Sequence, residues 1–146
     1  MVRSLVQQPA GAFLMFSRNA FEKVGGFDER FHPIWFEDVD FCAKLIASGY
    51  SVYYNPAARA IHAGGHSIRT LAVEKRQRYW YGSLLGYAAI HFSSLGYRAV
   101  CGAVAAGAAF RGVRSVSRDG LKSFAVYGSV CRVALSRLFG SRGELW

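Results

Sequence analysis

The sequence predicts an α/β unit over residues 1–70, followed by a mainly helical tail over 71–146. Two observations point there. Through His66 short apolar or aromatic runs alternate with segments of helical spacing, punctuated by Gly-Gly and Asn-Pro. Beyond Leu71 the pattern is almost wholly helical. Charge divides the chain at the same place. Six basic and six acidic residues precede Ser67, whereas twelve basic and three acidic residues follow, so the tail carries the whole net charge of +9.

Each element has a local reason. Ala12–Phe16 (AFLMF) is a continuous apolar run and predicts a buried strand. Ser17 suits the N-cap of a short helix, Arg18–Val24, and Gly25-Gly26 stops it, since glycine enters the left-handed cap without strain. Phe27–Trp35 is an aromatic loop. Glu37–Ser48 predicts a second helix, with Val39, Cys42, Ala43 and Ile46 on one face and an Asp40–Lys44 pair one turn apart. Ser51–Tyr54 and Ala58–His62 predict short strands around the Asn55-Pro56 turn.

In the tail, Tyr79–Tyr97 carries no Lys, Arg, Asp or Glu. It approaches the length of a membrane span, but its Gly, Ser and His content keeps its hydropathy low. Ala99–Phe110 is a second uncharged run, too short for a span. Small residues four apart (Gly82/Gly86, Gly102/Ala106, Ala103/Gly107) permit close helix packing. Leu121–Phe139 is amphipathic, with Phe124, Tyr127, Cys131, Ala134, Leu135 and Leu138 on one stripe and Lys122, Ser129, Arg132 and Ser136 opposite. Such a helix either packs on its own domain or lies in a membrane interface.

Composition excludes several classes. With 52% apolar and 18% charged residues the chain is neither disordered nor collagen-like. Three widely spaced cysteines give no disulfide framework and no zinc spacing, which favours a reduced, cytoplasmic setting. The N-terminus lacks the apolar stretch of a signal peptide. Neither a P-loop nor GxGxxG occurs, and the basic tail lacks any nucleic-acid-binding signature, so no nucleic-acid partner is expected. An anionic membrane surface suits the basic tail better.

The sharpest chemical feature is Trp35-Phe36-Glu37-Asp38-Val39-Asp40. Acids at a helix start complement its dipole, which alone accounts for the cluster. They also suit a general base at a cleft mouth, with Trp35 and Phe36 as a flat wall for a sugar ring. Asp38 and Asp40 form a bare DxD, yet two residues apart on a helix they point about 200° from each other and cannot easily grip one ion. The Ala-Gly-Gly spacer between His62 and His66 contains two glycines, so the pair is a weak metal motif, although one imidazole can serve as a single ligand.

Three stretches in order, GAFLMFSRNAFEKVGGFDERF (11–31), WFEDVDFCAKLIASGYSVYYNP (35–56) and ARAIHAGGHS (58–67), resemble the C-terminal half of a family 2 glycosyltransferase of the rhamnosyltransferase-like kind. The order GGFDE, FEDVD, GY, P and a His with two glycines carries the resemblance. The tail, including Tyr79-Trp80-Tyr81-Gly82, resembles such enzymes with less specificity.

The resemblance implies the acceptor-side half of a GT-A, Rossmann-like sandwich. It implies inverting transfer of a sugar from a nucleotide-sugar to a hydroxyl of a glycan or lipid-linked acceptor, with Mg²⁺ or Mn²⁺ in the complete enzyme. It places the general base on Asp38, acceptor contacts on Glu37, Trp35, Phe36 and Asp28, and one metal ligand on His62. The family's nucleotide-binding half and its own DxD precede these motifs. Only ten residues precede Gly11 here, so the resemblance implies an incomplete chain or one working with a separate N-terminal half. The competing expectation is a non-catalytic module that binds a membrane or a partner through the basic helices.

Overall fold

In the computed structural model the described residues are 2–64, 68, 71–119 and 121–140. Among them the chain is mainly helical, with one two-stranded sheet. It divides into two compact units, Met1–His66 and Ser67–Trp146. The predicted strand Ala58–His62 is an irregular, exposed segment, and His66 lies outside the described residues.

In the first unit, β1 (Ser4–Leu5) pairs antiparallel with β2 (Tyr53–Tyr54), Ser4 opposite Tyr54 and Leu5 opposite Tyr53. The Val6 amide adds a bond to the Val52 carbonyl at 3.0 Å. Arg3 lies over the Tyr53 ring, 4.2 Å from its centroid. The ladder is shorter than the predicted Ser51–Tyr54 strand.

Ala12–Phe16 is not a strand. Gly11–Phe13 winds into a 3₁₀ turn, and most of the run is exposed. An apolar run becomes a strand only where a neighbour takes its backbone bonds, and β1 and β2 take each other's.

Helix α1 (Arg18–Lys23) starts as predicted, with Ser17 Oγ accepting from the Ala20 amide at 3.2 Å. It ends at Gly25 and Gly26, whose φ angles are +75° and +71°. A Cβ on Gly26 would lie 2.7 Å from the Phe21 ring, so the turn needs glycine for space as well as angle. Helix α2 (Glu37–Ala47) follows. Its buried face is Asp40, Phe41, Cys42 and Leu45, while Ile46 is exposed, so the stripe predicted through Val39, Ala43 and Ile46 is rotated. The reason is a cluster the periodicity did not reveal: Phe16, Phe21, Phe27 and Phe41 pack together with ring centroids 4.8–6.0 Å apart. Phe41 turns α2 toward its three partners.

In the second unit, α3 (Val73–His91), α4 (Ser94–Asp119) and α5 (Leu121–Phe139) form one core. Tyr81, Leu85 and Ala88 of α3 meet Tyr97, Cys101, Val104, Ala105 and Ala108 of α4, with Val130 and Ala134 of α5. The uncharged run Tyr79–Tyr97 is not one helix. It breaks at Phe92, and Ser93 Oγ accepts from the Gly96 amide at 3.2 Å, capping α4. Among the described residues the one helix long and apolar enough to cross a membrane is instead Ser94–Val116, with only 28% of its apolar window covered.

Helix α4 packs through Cys101, Val104, Ala105 and Ala108, not through the Gly102/Ala106 or Ala103/Gly107 spacings. On α5 the inward face is Val130, Ala134 and Arg137, and Phe124 and Leu135 of the predicted stripe are exposed. The small partners on α4 admit a narrower apolar face than the whole stripe.

Candidate functional site

The entrance to α2 is made by strained backbone. Trp35 and Phe36 have φ of +73° and +71°, values that bulky L-residues rarely adopt. Such conformations cost on the order of 1–3 kcal/mol each and persist only where the surroundings impose them. Here they turn the chain from the Phe27–Ile34 loop into the helix and set Glu37 and Asp38 in its first turn.

The two acids then part. Asp38 faces the N-terminal segment: its Oδ2 accepts from the Gly11 amide at 2.7 Å and from Gln8 Nε2 at 3.3 Å, and its Oδ1 from the Val39 amide at 2.8 Å. A Cβ on Gly11 would lie 2.9 Å from Asp38 Cβ, so glycine permits this approach. Glu37 lines a groove of about 630 Å³ with Phe27, Asp28, Glu29, Phe31, His32 and Pro33. Its Oε2 is buried and accepts no hydrogen bond among the described residues.

Asp28, also lining the groove, is fixed in place. It caps the turn Glu29–Phe31 by accepting from the Arg30 amide at 2.9 Å, and it holds the Arg30 guanidinium, with Nε at 2.9 Å. That bond to Arg30 keeps its carboxyl below the usual aspartate range. Asp40 is structural. It is 1% exposed and ion-pairs with Lys44 at 2.9 Å, as its spacing predicts. Lys44 also donates to the Gly26 carbonyl at 2.8 Å, which ties α2 to the glycine turn.

The sequence-predicted residues thus fall into separate environments. Glu37 and Asp28 share the groove, Trp35 and Phe36 form the turn before α2, and Asp38 sits against Gly11 and Gln8. His62 is exposed, in the irregular segment after β2. Among the described residues no three His, Cys, Asp or Glu side chains gather at metal-binding distance, so these residues do not supply a complete cation site. Sequence reasoning missed Phe27, Glu29, Phe31, His32 and Pro33 as groove residues. The available signal was the density of aromatic and charged residues around the single His-Pro step.

A family model described as "Glycosyl transferase family group 2" matches residues 2–146. The match therefore takes in the helical unit as well as the motifs at 11–67. The rhamnosyltransferase WbbL of Escherichia coli strain K12 is 34% identical over 67 residues, 46% of this chain and 25% of the relative's length. An N-acetylglucosaminyl-diphospho-decaprenol L-rhamnosyltransferase of Mycobacterium tuberculosis is 41% identical over 58 residues, 40% of this chain and 19% of the relative. The matched stretches thus span a quarter or less of these relatives. No solved structure matches the chain.

Proposed function

The chain belongs to glycosyl transferase family group 2, and from that membership we propose that it carries the acceptor side of an inverting sugar transferase. The donor is a nucleotide-sugar, and the acceptor is a hydroxyl of a cell-envelope glycan carried on a lipid. The relative named for a diphospho-decaprenol acceptor supports the lipid-linked class. The nucleotide site belongs to a GT-A half supplied by a further segment or a separate chain, as the small matched share of each relative suggests. The Mg²⁺ or Mn²⁺ of the complete enzyme belongs with that half, and His62 offers one imidazole toward it.

Asp38 is the general base and Glu37, Trp35, Phe36 and Asp28 contact the acceptor. The observation that carries this reading is the pair of left-handed aromatic residues opening α2. Strain of that kind is retained where a site needs a side chain aimed, and here it aims two carboxylates. A second reading has one observation of its own. Glu37 holds the buried oxygen with no partner in the groove, whereas both oxygens of Asp38 accept amide bonds. On that reading Glu37 takes the proton and Asp38 secures the helix start.

The test is labelled-sugar transfer to lipid-extractable acceptors in membranes of cells carrying either variant in place of the native chain. Asp38→Asn should cut transfer about 100- to 10,000-fold, and Glu37→Gln about tenfold. The reverse order moves the base to Glu37, and unchanged transfer in both ends the proposal. The purified chain alone should transfer nothing; activity in it would end the reading of a separate nucleotide half.

The sparsely covered apolar helix Ser94–Val116 and the basic excess of the tail support a place at the cytoplasmic face of the plasma membrane. They equally support a non-catalytic membrane-binding module. Salt-sensitive binding to anionic vesicles that Asp38→Asn leaves unchanged, with transfer also unchanged, would favour that module.

A further inference from the structure

The second unit contains a groove that the sugar chemistry does not use. It lies among α3, α4 and α5 and encloses about 910 Å³, a volume typical of small-molecule sites. Its wall is mainly apolar: Leu84, Val100, Val104, Gly107 and Tyr127, with Trp80 at the side. Two cations line it as well. Arg111 and Arg114 stand three residues apart on α4, so they share one face of the helix.

Both guanidiniums are held. Arg111 donates to the hydroxyl of Tyr81, a core residue only 5% exposed. Arg114 lies 5.8 Å from the Phe110 ring centroid. A guanidinium offers five donors, and Tyr81 takes one of those on Arg111. Among the described residues that line the groove Glu74 is the one acid, against two arginines.

An apolar trough beside two anchored guanidiniums is complementary to an amphiphilic anion. A purely polar anion would leave the trough wet, and a purely apolar guest would make no use of the two positive charges. We infer that this groove binds a lipid phosphate, with its phosphate or diphosphate head on Arg111 and Arg114 and its hydrocarbon chain along Leu84, Val104 and Gly107. The inference rests on the lipid-linked acceptor proposed above and names where this chain grips the carrier. Charge-assisted, bidentate contacts suit arginine to such a head group.

Gly107 provides a clean test. A Cβ there meets nothing within 4 Å, and leucine favours a helix, so Gly107→Leu should fill the trough without unfolding α4. The full chain is titrated by calorimetry with farnesyl diphosphate, inorganic pyrophosphate, or phosphatidylglycerol vesicles. Farnesyl diphosphate should bind, and Gly107→Leu and Arg114→Gln should each weaken it about tenfold or more with unchanged circular dichroism. Pyrophosphate should bind at least tenfold more weakly than the lipid diphosphate.

Equal affinity for pyrophosphate, no effect of either variant, or no binding of farnesyl diphosphate overturns the inference. Vesicle binding that both variants reduce, without farnesyl diphosphate binding, assigns the groove to a bilayer surface instead. The transferase reading stands or falls separately. Loss of labelled glycolipid in Asp38→Asn without farnesyl diphosphate binding sinks only the groove, and the converse sinks only the transferase.

Discussion

The Gly11 amide donates to the Asp38 carboxylate at 2.7 Å, across twenty-seven residues of sequence. This bond fastens the segment after β1 to the first turn of α2, and it leaves no room for a side chain at position 11. Gly11→Ala should therefore push the segment off Asp38. The expected cost is about 1–3 kcal/mol, as for other overpacked contacts. Thermal unfolding of the variant checks it. An unchanged midpoint would show that the segment yields freely and does not hold Asp38.

The Asp40–Lys44 pair gives a second prediction. Asp40 is 1% exposed, and its partner also reaches the Gly26 carbonyl. Lys44→Met removes the ammonium from a buried carboxylate and releases the glycine turn. A loss of up to about 3 kcal/mol is expected, because breaking one side of a buried pair costs more than the pair is worth. Replacing both residues, Asp40→Leu with Lys44→Met, should recover most of that loss. Urea unfolding of the single and double variants measures the difference, and a double variant no more stable than the single would contradict the argument.

What was legible in the sequence was local. Ser17 as a cap, Gly25-Gly26 as a stop, and Asp40 with Lys44 all follow from rules that act over one helical turn, and all appear. What was not legible depends on distant partners. Ala12–Phe16 has a strand's composition, but among the described residues no strand lies beside it, and Phe16 joins the aromatic cluster instead. That cluster rotates α2 and buries Phe41 rather than Val39. The same non-local contacts separate Glu37 from Asp38, which one-dimensional spacing presents as a single acidic patch.

The left-handed Trp35 should trade stability against binding. Glycine adopts φ near +73° without strain, so Trp35→Gly relieves on the order of 1–3 kcal/mol that offsets the lost packing. The melting midpoint should change little, while transfer falls through a raised acceptor KM. Steady-state kinetics against acceptor concentration separates the two effects. A large drop in the midpoint with unchanged KM would make Trp35 a packing residue only.

Asp28 makes stability depend on pH. Its carboxyl is held below the usual aspartate value chiefly by the hydrogen bond from Arg30. A depressed folded-state pKa adds stability above the unfolded value and loses it as pH falls through the folded one. Asp28→Asn keeps a capping oxygen but removes the charge. With Arg30 more than half exposed, the expected deficit at pH 7 is only about 0.5 kcal/mol. That deficit should shrink from just below pH 4 downward. Chemical denaturation of both proteins across this range would refute the assignment if the deficit stayed constant.

The cysteines should separate by reactivity. Cys42 is fully buried on the inner face of α2, and burial, with a smaller contribution from the Asp38 charge, pushes its thiol above the ordinary range. Cys101 is fully buried among α3, α4 and α5, whereas Cys131 is partly exposed in a groove with Phe124, Leu135 and Phe139. Because the thiolate is the attacking species, iodoacetamide at pH 8 should label Cys131 first. Cys42 should follow only at the rate at which the first unit opens. Timed alkylation with peptide mass mapping reads the order, and labelling of Cys42 as fast as Cys131 would show that the packing of the first unit does not shield it.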